Sequence, residues 1–252
     1  MLRWPAEAIW EAVTPTLPGF TVEVLPQVDS TNTELMRRAR AGRLEPVLLV
    51  AEAQTAGRGR LGRTWHSGAL PGETLTFSLG LPLQMADWSG LSLAVGLSVV
   101  DSLHPDLRLK WPNDVWLADR KLAGILIETT QIDAVRYVVI GVGINITPRD
   151  ATGLATAPAW LQELDPGLTA TLALQRVAAP LVRDVQRFEA QGWEPFQPAY
   201  AARDALAGRE VTLSDGTGGQ ARGVDGSGAL LVHTAAGLKK ISSAEVSVRP
   251  LN

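Results

Sequence analysis

Apolar and polar positions along this chain recur with two periods, and the changes between them mark the elements. Residues 5–13 have helical spacing, with Pro5 tolerated in a first turn. Phe20–Leu25 alternates and predicts a strand. Thr31 and Glu34 fit a capping box, which predicts a helix opening there and stopping at Gly42. Val47–Ala53 and Leu75–Leu81 read as strands, while residues 57–72 hold five glycines and Pro71 and follow neither period. Leu91–Leu103 is apolar on most faces, which predicts a buried helix. Leu107–Trp111 is a short strand, Val115–Leu117 and Leu122–Ile127 are hairpin arms, and Tyr137–Ile146 is a buried strand. Residues 150–160 read as an exposed loop and Leu168–Gln191 as a long amphipathic helix. After about residue 205 the runs shorten to Val211–Leu213, Ala221–Val224, Ala229–His233, Leu238–Ile241 and Val246–Val248. Asp-Gly turns punctuate them, which predicts a small β-barrel.

Composition narrows the chemistry. With 252 residues, 46% hydrophobic and 19% charged, the chain can build a core and is not globally disordered. The net charge of −3 argues against a duplex-binding surface. The absence of cysteine removes disulfides, thiol catalysis and Cys-ligated metals. Three scattered histidines, His66, His104 and His233, argue against a His-rich metal site. Neither a signal peptide nor a membrane-length apolar run is visible, so a cytoplasmic protein is expected. Arginine outnumbers lysine 19 to 4, so each lysine stands out.

The segment Gly57-Arg58-Gly59-Arg60-Leu61-Gly62-Arg63 contains a G-x-G-x-x-G string, but no helix can follow it as a dinucleotide site requires. Three arginines among glycines, without a nearby acid, fit a flexible clamp for phosphate or carboxylate. A solvated mobile loop is the alternative. Lys110-Trp111-Pro112-Asn113-Asp114 is a stiff turn whose Asn and Asp suit Mg²⁺ held through water and phosphate, or an ordinary turn. Lys121 opens a hairpin arm and points along the sheet or into solvent. Gly141-Val142-Gly143-Ile144-Asn145 ends a strand with close backbone approach, or with a bulge and an exposed Asn.

Together, Ser30-Thr31-Asn32, Gln54 with the Gly-Arg-Gly-Arg loop and Trp65, Lys110–Asp114, Arg120–Ile125 and Gly141–Asn145 resemble the biotin–protein ligases, in that family's order. Gly228–Leu231 and Ala244–Ser247 resemble its C-terminal SH3-like barrel. The resemblance implies an α+β fold with a mixed, largely antiparallel sheet and flanking helices. It implies a catalytic domain over residues 1–205 and the barrel over 206–252. Biotin and MgATP would give biotinyl-5′-AMP, and the biotinyl group would pass to a lysine of biotin carboxyl carrier protein. A lipoate ligase or octanoyltransferase is the rival on the same fold.

By the same resemblance, Ser30, Thr31, Asn32, Gln54, Gly57, Arg58, Gly59, Arg60, Lys121 and Gly124 would bind biotin. Arg60, Arg63, Trp65, Asn113, Lys121 and Asn145 would serve the nucleotide, and Asp114, with Asn145, the Mg²⁺. Lys121, Arg58 and Arg60 would be catalytic. Fewer than 30 residues precede Ser30, too few for the helix-turn-helix domain of some members, so no operator binding is expected. Sheet extension at an edge strand would make a homodimer, though nothing in the sequence demands one. The 57–72 loop is expected to be mobile until ligand binds.

Overall fold

The computed structural model describes residues 2–68, 70–85, 87–149, 156–242 and 248–250. Seven strands form the larger sheet: β1 (Thr21–Leu25), β2 (Val47–Ala51), β3 (Thr74–Pro82), β4 (Arg108–Lys110), β5 (Asp114–Leu117), β6 (Arg120–Ile132) and β7 (Val135–Asn145). Their order is β1-β2-β3-β7-β6-β5-β4. β1 and β2 are parallel, joined through helix α2 (Thr31–Arg40) as a parallel crossover requires. All other neighbours are antiparallel. The expected α+β fold with a mixed, largely antiparallel sheet is therefore present.

Period-two alternation assigns each strand residue to a face. Leu75, Phe77, Leu79 and Leu81 of β3, and Val138, Ile140, Val142 and Ile144 of β7, enter the main core. Helices α1 (Ala6–Val13), α3 (Leu91–Leu103) and α4 (Ala170–Gln191) supply the opposing side of that core. The other face is covered at one end by α2, where Leu35, Met36 and Ala39 pack on Leu49, Tyr137 and Val139. Beyond α2 that same face carries Thr76 and Ser78 of β3, Gly124 and Leu126 of β6, and Gly141, Gly143 and Asn145 of β7, all of which border the cavity described below except Ser78.

Five further strands, β8 (Glu210–Leu213), β9 (Gly218–Val224), β10 (Leu230–Thr234), β11 (Gly237–Ile241) and β12 (Val248–Pro250), form an antiparallel sheet in the order β11-β10-β9-β8-β12. It is pinned to the larger unit by buried Trp111, whose Nε1 donates to Gly228 O at 3.0 Å. Trp193 Nε1 donates to Asp225 O in the same turn at 3.3 Å. Among the described residues no helix is long and apolar enough to cross a membrane.

Several elements differ from expectation. The N-cap of α2 is Ser30, whose hydroxyl accepts from Thr33 N at 3.5 Å. Thr31 is instead the first helical residue, and Glu34 pairs with Arg37 and Arg38 rather than closing a capping box. β6 runs on to Ile132, because its polar second half is the exposed arm of a long hairpin with β7. Helix α5 (Gln197–Arg203) was not foreseen. Pro158 and Ala159 are buried rather than looped out, since Lys121 N donates to Ala157 O and Ala159 N donates to Lys121 O. The described part of the last strand is Val248–Pro250; Val246, Ser247 and the Ala244–Ser247 motif lie outside the described residues, as do residues 150–155 of the expected loop.

Candidate active site

The open part of the sheet floors a cavity of about 570 Å³. Its floor is low because of glycine. A Cβ on Gly143 would come within 2.4 Å of Trp65 Cε2, and one on Gly141 within 2.1 Å of Asn32 Oδ1. Gly124 faces Gly143 across the β6–β7 ladder, and its own Cβ would lie 3.5 Å from Trp65. The paired glycines thus form a trough in which the indole of Trp65 lies.

One end of the cavity is the first turn of α2. Thr31 N and Oγ1 both donate to Gln54 Oε1, at 2.8 and 3.2 Å. Gln54 Nε2 donates to no described residue. Ser78 Oγ lies 2.7 Å from Thr31 Oγ1 and 2.6 Å from Asn32 Oδ1. The two amide hydrogens of Asn32 go to Leu126 O at 3.1 Å and Glu128 Oε2 at 2.9 Å. Ser30, Thr31, Asn32 and Ser78 are buried.

The arginine segment is a small folded hairpin. Gly59 N donates to Arg63 O at 2.7 Å and Trp65 N to Gly57 O at 2.9 Å, around a tight turn at Arg60–Gly62. Leu61 stands at the tip with φ of 55°, a conformation that a side chain adopts only at a cost. Gly57 itself does not line the cavity; a Cβ there would strike Trp65 O at 2.3 Å. Arg58 turns to Glu128, with Nη2 2.5 Å from each carboxylate oxygen. Arg60 Nη1 donates to Asn113 Oδ1 at 3.3 Å.

Opposite the hairpin, the Lys110–Asp114 turn contains a cis Trp111–Pro112 peptide. Asn113 is anchored by its Nδ2 on Ile125 O at 2.7 Å. Asp114 Oδ1 accepts from Lys121 Nζ at 2.7 Å, and its other oxygen is 4.0 Å from Lys110 Nζ. Lys121 also stands 6.0 Å from the Trp65 ring centroid. Burial pulls the Lys110 ammonium below its ordinary value; Asp114 opposes the shift, while Lys121, Arg63 and Arg60 add to it. Burial likewise lowers Arg60, with Asp114 opposing and Arg63 adding. Burial among neighbouring cations thus makes the charged form of Lys110 costly to the folded protein, a cost that an entering anion would offset.

That cost has a measurable sign. The unfolded chain keeps the Lys110 proton up to its ordinary pKa of 10.5, whereas the folded chain releases it at lower pH. Between those values the unfolded state binds more protons, so this group makes stability rise with pH. Lys110→Met leaves Asp114 paired with Lys121. The variant should melt above wild type at pH 7 by roughly 2–4 °C, with the gap narrowing toward pH 10.5 and with slower turnover of ATP. A gap independent of pH in paired melting curves would assign the effect to packing instead.

At the far end Asn145 Nδ2 donates to Ala159 O at 2.9 Å and to Lys121 O at 3.3 Å. Its Oδ1 accepts from Arg149 Nη1 at 2.6 Å. Arg149 also lies 5.8 Å from the Trp65 centroid, and burial lowers its pKa, with Glu73 opposing. Arg209 and Arg249 reach the rim from the C-terminal unit. The predicted site residues other than Gly57 all line this one cavity. Sequence reasoning missed Ser78, Glu128 and Arg149, and gave Lys110 no role. Ser78 had a signal, since Thr74, Thr76 and Ser78 alternate with apolar residues in a strand otherwise read as core.

Comparison with known proteins decides the family. The profile of the biotin/lipoate A/B protein ligase family matches residues 24–145, and that of the biotin protein ligase C-terminal domain matches residues 207–249. The biotin–[acetyl-CoA-carboxylase] ligase of Mycobacterium tuberculosis is 36% identical over 252 residues, spanning 89% of this chain and 88% of that protein. The chain belongs to the biotin/lipoate A/B protein ligase family. Another member, the bifunctional ligase/repressor BirA of Escherichia coli, is 36% identical over 92% of this chain and 75% of its own length. The biotin protein ligase of Aquifex aeolicus, solved in complex with biotin and ATP, superposes with a TM-score of 0.77 at 28% identity, covering 91% of this chain and 99% of that one.

Proposed function

We propose that this chain joins biotin to AMP and then moves the biotinyl group to a lysine of a biotin carboxyl carrier domain. Biotin–[acetyl-CoA carboxylase] ligase activity is the activity of its family and relatives. One observation carries the site-level reading. Lys110, Lys121, Arg60 and Arg63 share a glycine-floored cavity with the carboxylate of Asp114, while Asp119 at its rim is paired with Arg209.

In the first step the biotin carboxylate attacks the α-phosphorus of ATP, and the bond to the β-phosphate oxygen breaks to release pyrophosphate. Two anions must meet, so fixed positive charge aimed at the reacting oxygens lowers the barrier. In the second step a carrier lysine amine attacks the acyl carbon and AMP leaves. No protein nucleophile is needed. The work is positioning and charge stabilisation.

Residues 1–205 would hold both reactants, with residues 206–252 completing the rim. Thr31 and Gln54, with Ser30 capping their helix, would take the polar head of biotin. Gly59, Gly124 and Trp65 would wall the chain, and Lys121 would meet the carboxylate. Arg60, Arg63, Asn113 and Asn145 would serve the nucleotide. Mg²⁺ enters with the ATP phosphates as part of the substrate. Among the described residues no group of three His, Cys, Asp or Glu side chains is placed to hold a metal. Asp114, with Asn145, would meet that ion on the protein side, the phosphates and water supplying its other ligands.

The test is mass spectrometry of a carrier domain after incubation with this protein, biotin and MgATP. One added biotinyl group per carrier is expected, and none without ATP. Lipoate incorporation with biotin refused would move the chain to the other branch of its family.

A further inference from the structure

We propose that Glu128 is a positioning residue that links the floor of the biotin head pocket to the arginine hairpin, so that filling the pocket and closing the loop are coupled. Alternation along β6 places Glu128 on the same face as Gly124 and Leu126, which line the cavity, and its carboxylate meets Asn32 and Arg58, which line it too. One of its carboxylate oxygens accepts from Asn32 Nδ2 at 2.9 Å, and both lie 2.5 Å from Arg58 Nη2. Asn32 is fully engaged, with both amide hydrogens donated and its oxygen accepting from Ser78. It therefore has no hydrogen left for a ligand and acts as a bracket.

An exposed ion pair is ordinarily worth little, because two flexible side chains must be held together. Here one partner is already held. Asn32 is buried on α2, and the absence of a Cβ on Gly141 gives its amide room to reach β6. Glu128 is thus a fixed acceptor, and Arg58 only has to land on it. The charge of Arg58 is spent on this contact, whereas Arg60 and Arg63 lie close enough to Lys110 to act on it. Arg58 is accordingly assigned to closing the hairpin, not to the phosphate. A ligand that settles against Thr31 also settles Asn32, its chain neighbour, and through Glu128 favours the closed hairpin.

The latch can be tested without ligand, while its coupling to biotin rests on the function proposed above. Amide hydrogen exchange on the full-length ligand-free chain would report residues 57–65, whose Gly59 and Trp65 amides are bonded within the hairpin. Glu128→Gln, which keeps size, should speed exchange there by about fivefold, the upper range for such a pair. Arg58→Gln should do the same, and the double variant no more than either alone. Exchange along β6 and β7 should not change. Biotin affinity should fall by a similar factor in Glu128→Gln, with the adenylation rate at saturating biotin unaltered. Additive effects, or unchanged hairpin exchange, would overturn the latch. Failure of the wild-type protein to bind biotin would overturn the function instead and leave the exchange result standing.

Discussion

Replacing Lys121 with alanine should reduce biotinyl-adenylate formation by about 10²–10³-fold, the loss typical when one preorganised charge-stabilising donor is removed. Lys121 is held on both sides, since its backbone pairs with Ala157 and Ala159 and its ammonium rests on Asp114 at 2.7 Å. The pairing orients the ammonium, and the cavity it lines gives an incoming carboxylate access to it. The fold should survive, because Asp114 retains Lys110 at 4.0 Å. Lys121→Arg keeps the charge but brings a broad planar fork close beside Gly124 and Trp65, and it should recover little of the lost rate. Pyrophosphate release measured without carrier isolates this step. Turnover within twofold of wild type in Lys121→Ala would remove the residue from the mechanism.

Gly143→Ala should cost about 100-fold in kcat/KM while lowering the melting temperature by only a few degrees. The new methyl group would sit 2.4 Å from the indole of Trp65. Overpacking of this kind costs about 1–3 kcal/mol, and the side that can yield is the hairpin, because β7 is locked between β3 and β6. Trp65 must lift, and Arg60 and Arg63 shift with it. Misplacement of that order is enough to lose two powers of ten in rate. Gly143→Ala combined with Trp65→Leu relieves the clash. The double variant should therefore be more active than Gly143→Ala alone. If Gly143→Ala retains wild-type kcat/KM, the trough is not what seats the loop.

Much of this was legible in the chain, and the reason is local. β3 announces itself by alternation, β7 by a nearly continuous apolar run, and α3 by its lack of a polar face. The Gly-Val-Gly-Ile-Asn ending of β7 carries its whole function in its alternation, with Val142 and Ile144 to the core and the two glycines and Asn145 to the cavity. What the sequence hides is pairing across distance. Glu128 begins the polar half of β6 and looks like the end of a strand, since nothing nearby reveals that Asn32 and Arg58 converge on it. Arg149 reads as one more loop arginine, although it meets Asn145 and Trp65. The capping-box reading failed by one residue because Ser30, Thr31 and Thr33 are all plausible caps, and only the contact with Gln54 decides among them.

The most direct measurement is a crystal structure of the protein with biotinyl-5′-AMP, or a non-hydrolysable analogue, bound. Lys121 Nζ should lie within hydrogen-bond reach of the oxygens around the acyl-phosphate linkage, with Trp65 still in its glycine trough and the Arg58–Arg63 hairpin closed over the ligand. An adenylate bound elsewhere, or one bound here with Lys121 still turned to Asp114 alone and the hairpin arginines pointing away, would contradict the account.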